Sequence, residues 1–363
     1  MNLALVGVGA AGGRIVDRLL DYEAVTNRQF CNGKAIVFDT SPDAFGEFSH
    51  VGADRQVLIG DTYPGVEGEG TGGDVDLGAS VAQADIGEIR RELDSAELGL
   101  VDAIILVVGF GGGTGGGAGA VVLETLEAMY EVPVYVAGIL PHGDESDDRI
   151  RNAARTLQSV VPVADNTVLF DNDAWAPSGE VDSVDYDETN AELATRLAVV
   201  FGAGEVDSSS VAAMRVDSSD VARTLATGGV STIGLATTGV DAGSGGLLAW
   251  LRSLLGDSEE EAPSDAASVA SLVRRAVNGR LTLPCEVTSA ERSLMMLSGP
   301  SSACSRKGFE SARHWLGEET GTVEVLAGDE PRESASELAA VVLLSNVTDV
   351  PRVDEIQRRA TND

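Results

Sequence analysis

Gly111-Gly112-Gly113-Thr114-Gly115-Gly116-Gly117 puts six glycines into seven residues. The apolar stretch before it, residues 103–108, reads as a buried strand. Residues 118–130 follow, with Val121, Val122, Leu126 and Met129 at the spacing of a buried helical face. The glycines therefore lie where a central strand turns into a helix. Glycine permits positive φ and lets backbone approach a ligand closely. Successive N–H groups at such a turn form an anion nest, backed by the positive end of the helix dipole. Phosphate is the natural occupant. The run is not a P-loop, because no Lys-Ser/Thr pair follows its last glycine.

Other loops repeat this placement. Gly7-Val8-Gly9-Ala10-Ala11-Gly12 fits G-x-G-x-x-G between a strand at 2–8 and a helix carrying Ile15, Leu19 and Leu20. A strand at 35–38 ends on Asp39-Thr40, an acid placed for a ribose hydroxyl or for a hydrated metal near phosphates. Residues 65–73 form a glycine-rich loop with Glu67, Glu69 and Thr71. An apolar stretch at 132–140 breaks at Pro141, and acids at 144–148 open a helix that carries Arg149 and runs to about 160. A strand at 167–170 ends on Asp171-Asn172-Asp173. A long helix at 189–201 then repeats Leu193, Leu197, Val200 and Phe201. Strands alternating with helices predict an α/β fold with a doubly wound, largely parallel sheet. The loops at 9–14, 39–40, 68–73, 111–117, 141–149 and 171–173 follow strand ends, so they share the face where such sheets bind ligands.

The character changes after 203. Val206-Asp-Ser-Ser-Ser-Val211 is echoed by Val216-Asp-Ser-Ser-Asp-Val221, and 231–238 begins a second set of strands. Residues 256–268 read as a solvated loop. Helices at 266–278 and 303–317 alternate with strands near 283–288, 293–298, 322–326 and 338–346, a smaller α/β domain closed by a short polar helix at 353–363.

The 363 residues suffice for two domains with real cores. The net charge is −33, and lysine occurs only at 34 and 307. Such a field repels nucleic acid and anionic membrane. It runs along the whole chain rather than gathering in a tail, which points to adaptation to molar salt, where the Debye length falls to about 3 Å. A halophilic, archaeal source is expected. No apolar run reaches the ~18 residues of a membrane span, and the start carries no basic leader. A cytoplasmic protein without direct membrane insertion is the expectation. Cys31, Cys285 and Cys304, and His50, His142 and His314, are scattered without metal-ligand spacing, so reduced cysteines and no metal site are expected.

Together these motifs resemble the tubulin/FtsZ superfamily, and within it the haloarchaeal CetZ group more than bacterial FtsZ. Phe110 with the glycine run resembles the tubulin signature. Residues 7–14 resemble the first phosphate loop, although Ala10 and Ala11 stand in a usually glycine-rich stretch and Arg14 replaces an asparagine. Gly70-Thr71-Gly72-Gly73 is similar to the γ-phosphate-sensing loop without its usual asparagine. Pro141, Glu145 and Arg149 keep the spacing of the segment whose Glu and Arg contact ribose and base. Asn172 and Asn190 fit the guanine-side positions, and Met214-Arg215-Val216-Asp217-Ser218-Ser219-Asp220 resembles the synergy loop N-x-D-x-x-D with Arg215 in place of the asparagine.

The resemblance implies GTP and GDP as ligands, with Mg²⁺. It implies a GTP-binding domain at 1–203 that includes the central helix, a synergy loop and following helix at 204–230, and a C-terminal activation domain at 231–363. It also implies head-to-tail self-assembly into protofilaments, GTP hydrolysis completed by the neighbouring subunit, and a role in archaeal cell shape at the cell cortex through an unknown adaptor. No FtsZ-like disordered tail is expected.

With no P-loop lysine, the glycine loops Gly9–Ala11, Gly70–Gly72 and Gly111–Gly116, a helix dipole and Mg²⁺ must carry charge compensation. A carboxylate can position and polarise the attacking water. Asp217 and Asp220, three apart, are the candidates; they also suit the N-cap and N3 positions of a helix. Three alternatives stand beside this reading. One is an FtsZ-like division protein. Another is an NAD(P)-dependent oxidoreductase built on residues 7–12 and Asp39. The third is an assembling member that hydrolyses poorly. From the charge alone, the melting temperature is expected to rise between dilute and molar KCl; a flat profile in a thermal scan would count against salt adaptation.

Overall fold

The apolar runs ahead of the glycine loops are strands that sheet and helices cover on both faces, which is why they read as near-continuous hydrophobic stretches. The computed structural model of the chain describes residues 1–175, 186–203, 216–239, 265–322, 324–332 and 335–361. Its first half runs β1 (Leu3–Val8), α1 (Gly9–Thr26), β2 (Ala35–Asp39), β3 (Gln56–Leu58), α2 (Val75–Ala84), α3 (Ile86–Ser95), β4 (Ala103–Gly109), α4 (Gly119–Met129), β5 (Val134–Leu140), α5 (Asp147–Val160), β6 (Asn166–Asp171), α6 (Asn172–Trp175) and α7 (Asp187–Phe201). The second half follows with α8 (Ser218–Leu225), β7 (Val230–Gly239), α9 (Asp265–Asn278), β8 (Arg292–Gly299), α10 (Arg306–Thr320), β9 (Val325–Pro331), β10 (Glu337–Ser345) and α11 (Pro351–Thr361).

One ten-stranded sheet takes the order β3-β2-β1-β4-β5-β6-β7-β10-β8-β9. The strands from β3 to β6 are parallel, and β6 joins β7 in parallel through Thr167–Val230 and Val168–Ser231. β10 then pairs antiparallel with β7 and β8, while β9 lies parallel to β8. Side chains alternate across the sheet with period two. Ile104, Leu106 and Val108 enter one core with Leu126, Leu157 and Ile356; Ile105 and Val107 enter the other with Ile15, Leu19, Leu197 and Phe201.

Several expectations shift. None of residues 111–117 has positive φ. Residues Thr114–Ala118 form a π-helical turn that runs into α4, so only the first part of the run is loop. The glycines there serve close approach. A Cβ on Gly117 would sit on the Val75 carbonyl oxygen of α2, and a Cβ on Gly78 of α2 would sit on the Gly113 carbonyl oxygen. Residues 9–14 are likewise the opening turns of α1, with Gly9 at φ +74 making the strand–helix corner. The sequence reading missed α2, α3 and the short β3.

The strand expected at 283–288 is absent. Pro284, which lacks an N–H, sits there, followed by a 3₁₀ turn at Val287–Ser289. The strand expected at 322–326 lies at Val325–Pro331. Residues 265–268, expected in a solvated loop, open α9, while 256–264 lie outside the described residues, as do Arg215 and the first copy of the serine-rich echo. The polar C-terminal helix buries Arg352 and Ile356. Among the described residues no helix is long and apolar enough to cross a membrane.

Gly117→Ala is expected to cost about 2 kcal/mol or more, because α2 must move off its own backbone contact. Gly46→Ala, which meets nothing within 4 Å, should be near neutral. Urea denaturation of both variants in molar KCl checks the contrast.

Candidate nucleotide site

The carboxyl ends of β1, β4, β5 and β6 lie side by side, and an open cleft of about 240 Å³ sits against them. Gly9, Ala10, Ala11 and Arg14 line it from α1; Gly111, Gly112, Thr114 and Gly115 from the glycine run; Pro141, Glu145 and Arg149 from the turn into α5; and Asn172 from α6. Two helix N-termini meet here. A Cβ on Gly9 would stand 3.0 Å from the Gly115 nitrogen, so the two backbones touch. N–H groups and dipole ends of one sign converge on the same space, which suits a polyanion.

Gly70, Thr71 and Gly72 do not line the cleft but are tied to its edge. The Gly70 N–H donates to the Thr40 carbonyl at 3.1 Å. The Thr114 hydroxyl lies 2.6 Å from that of Thr40 and 3.5 Å from that of Thr71. Gly113 and Gly116 face away, against Thr71 and Thr156 respectively. Asn152 was not singled out from sequence. Buried on α5, it donates from Nδ2 to the carbonyls of Gly73 at 2.8 Å and Gly111 at 3.1 Å, and so joins the two glycine loops. Its signal was a polar residue on the apolar face of a helix, with Thr156 one turn on.

Asp39, 4 % exposed, accepts from the N–H groups of Thr40 at 2.7 Å and Ser41 at 3.3 Å through Oδ1. Its Oδ2 is buried without a protein partner, and burial pushes its pKa up to about 6. On the other side, Glu145 accepts from the His142 N–H at 2.8 Å and from Arg149 at 2.7 Å, while Arg14 pairs with Glu47 at 2.6 Å. Asn190 does not line the cleft; its N–H donates to the Tyr186 carbonyl at 2.7 Å. Tyr186 was missed too. Its hydroxyl is buried without a partner, and its pKa is raised by burial, then by the Glu145 charge, against the pull of Arg149.

Asp217 and Asp220 are not at this cleft. They form a reciprocal cap on α8: Asp217 accepts from the N–H groups of Ser219 at 2.8 Å and Asp220 at 3.2 Å, and Asp220 accepts from the Asp217 N–H at 3.1 Å. The Ser219 hydroxyl, and more weakly the Met1 ammonium, hold the Asp217 carboxyl below its usual range. Met1 stands at the amino end of β1 and the cleft at its carboxyl end, about 20 Å away. Among the described residues no three His, Cys, Asp or Glu side chains gather as metal ligands.

A parallel sheet with glycine turns and helix N-termini around one crevice defines the α/β nucleotide-binding class. Residues 2–179 match the tubulin/FtsZ family GTPase domain, and residues 179–362 match the tubulin-like CetZ C-terminal domain. The tubulin-like protein CetZ3 of Haloferax volcanii is 47% identical over 98% of this chain and 91% of its own length. Among solved structures, GDP-bound monomeric CetZ1 of Haloferax volcanii superposes with a TM-score of 0.84 at 40% identity, covering 100% of this chain and 99% of that one. The GTPγS-bound CetZ2 protofilament from the same organism gives 0.85 at 34% identity, covering 100% and 98%. The chain belongs to the tubulin-like CetZ group of the tubulin/FtsZ family. The oxidoreductase alternative falls with that membership, and the halophilic source of the relatives agrees with the acidic composition.

The Asp39 shift makes stability fall with rising pH. Below the unfolded pKa of about 4 both states hold the proton. Between there and about 6 only the folded state holds it, so stability drops as pH rises through that window. Asp39→Asn is expected to flatten this part of the profile, as read by denaturation midpoints from pH 4 to 7.

Proposed function

We propose that this chain binds and hydrolyses GTP in the cleft between Gly9 and Asn172 and assembles head to tail, each subunit completing the hydrolytic site of the next. The observation that carries this is the separation of parts. The phosphate-binding backbone lies at one end of β1 and the Asp217–Asp220 pair at the other. A chain cannot bring its own pair to its own cleft, whereas a second copy stacked along the strand direction can. Such a heterologous contact does not close, so it generates a filament. The protofilament formed by the related CetZ2 supports the same arrangement.

In this reading the backbone of Gly9–Ala11 and of Gly111–Gly115 holds the phosphates, with Thr71 and Thr114 at the γ end. Glu145, Arg149 and Arg14 face the ribose and its surroundings. Asn172, Asn190 and the Tyr186 ring face guanine, the two amides supplying donors and acceptors to its edge. Asp39, with one free buried oxygen, accepts a hydrogen bond from the ligand or its water shell. Mg²⁺ arrives on the triphosphate, since the described residues build no cage of their own. Asp217 and Asp220 polarise the attacking water of the neighbour while still capping α8. The functional units are residues 1–203, 204–230 and 231–363, and the filament works in the cytoplasm at the cell cortex in control of cell shape.

Two variants test the split site. Asp220→Ala is expected to bind GTP normally, assemble, and hydrolyse at least tenfold more slowly. Gly112→Asp, where a side chain meets nothing nearer than 4.0 Å, places a carboxylate in the cleft and should abolish binding by charge. Phosphate release from a mixture of the two should exceed that of either alone. Wild-type turnover by Asp220→Ala filaments would leave that residue a helix cap and nothing more.

A further inference from the structure

Arg352 on α11 is 6 % exposed, and its guanidinium reaches two separate turns of the cleft. Nη2 donates to the Pro141 carbonyl at 2.9 Å and Nε to Asp171 Oδ1 at 3.3 Å, while Nη1 donates to Glu355 at 2.9 Å on the same helix. Pro141 begins the turn that carries Glu145, and Asp171 immediately precedes Asn172. A second bridge lies farther along. Arg359 donates to the Gly143 carbonyl at 2.8 Å and to Asp147 at 2.7 Å. The two turns also meet directly, the Gly143 N–H donating to Asp173 Oδ1 at 2.8 Å. The helix is seated on α5 by buried Ile356 and by Gln158, which donates to Gln357 at 2.8 Å.

No residue of α11 lines the cleft itself. Arg352 and Arg359 on it nevertheless hold the turns on which the nucleoside-side residues stand. A guanidinium is a rigid planar fork, and a fork bonded to two turns at once fixes the distance between them; a single ammonium does not. We propose that Arg352, supported by Arg359, is a positioning residue for the nucleoside, holding the 141–145 and 171–173 turns at the separation that Glu145 and Asn172 need to grip one ligand. This rests on the site reading above. Beside the bridge, burial pushes the Asp171 carboxyl up to about 6 against the pull of the Arg352 charge.

The test is titration of the full chain in molar KCl with fluorescent GTP and GDP, with the melting temperature and steady-state kinetics measured alongside. Arg352→Met is expected to weaken both nucleotides alike by roughly tenfold or more, raising KM while kcat at saturation stays near wild type. Arg352→Lys keeps a charge beside Asp171 but cannot span both turns; it should recover the melting temperature without the affinity. Should Arg352→Met fail to fold, Arg359→Gln carries the test with a smaller rise in KM, because that side chain is 33% exposed. Wild-type affinity in Arg352→Lys and Arg359→Gln overturns the bridge, as does a fall in kcat with KM unchanged. A wild-type chain that binds no guanine nucleotide overturns the site reading and the bridge together, and the wild-type titration alone tells the two failures apart.

Discussion

The structure depends on one contact of backbone against backbone. Residues 113–117 lie on α2 so closely that a single methylene on Gly117 would overlap the Val75 carbonyl, and one on Gly78 would overlap that of Gly113. This proximity aims the start of α4 at the cleft and sets α2 behind it. The loop before α2 is drawn in at the same time: Thr71 lies against Gly113, and Asn152 ties Gly73 to Gly111. The glycines are thus required twice. They admit a neighbouring helix on one side and line the cleft with backbone at Gly111, Gly112 and Gly115 on the other. A loop chosen only for flexibility would do neither, since its order would have to be imposed at each binding event at an entropic cost.

The same contact answers the electrostatic problem of binding a polyanion to a chain of net charge −33. A diffuse basic patch would be screened within about 3 Å at molar salt. Peptide dipoles held at contact distance in a desolvated turn are screened far less. Arg14 and Arg149 are each committed to a carboxylate, Glu47 and Glu145, so neither brings uncompensated charge to the cleft. On the proposed reading, selectivity on this face would come from the geometry of donors rather than from net positive charge.

The sheet was legible in the sequence because its central strands are buried on both faces, and apolar runs ending in Gly or Asp announce such strands without help from tertiary context. The cleft was legible for the same reason: the glycine turns that line it, at Gly9 and at Gly111–Gly115, each follow a strand. Legibility failed where packing overrides local preference. The π-turn at Thr114–Ala118 reads as loop because glycine disfavours helix; α2 and the turn hold each other in place. Residues 283–288 have strand composition, yet Pro284 interrupts pairing. Asn152 and Tyr186 carry no motif. Their importance comes from partners far along the chain, and for Tyr186 from the lack of one. Asp217 and Asp220 were legible as a pair with two roles, and the capping role is the one their hydrogen bonds display.

That capping geometry also bears on the proposed division of labour between the cleft and the Asp217–Asp220 pair. Both carboxylates are held in register by their own helix terminus, so they need no ligand to be ordered. The Ser219 hydroxyl and, more weakly, the Met1 ammonium hold the Asp217 carboxyl below its usual range, and both belong to the same end of the subunit. The pair is therefore pre-organised and lies about the length of β1 from the cleft. Rigidity enforces the separation: β1 is fully buried and paired on both sides, and the Met1 ammonium that neighbours Asp217 is bonded to the end of α7. On the proposed split site, a solitary subunit would hold nucleotide without a water-polarising carboxylate beside it. Under that proposal turnover reports contact between subunits, and the coupling of assembly to hydrolysis needs no allosteric signal beyond the separation set by the six-residue β1.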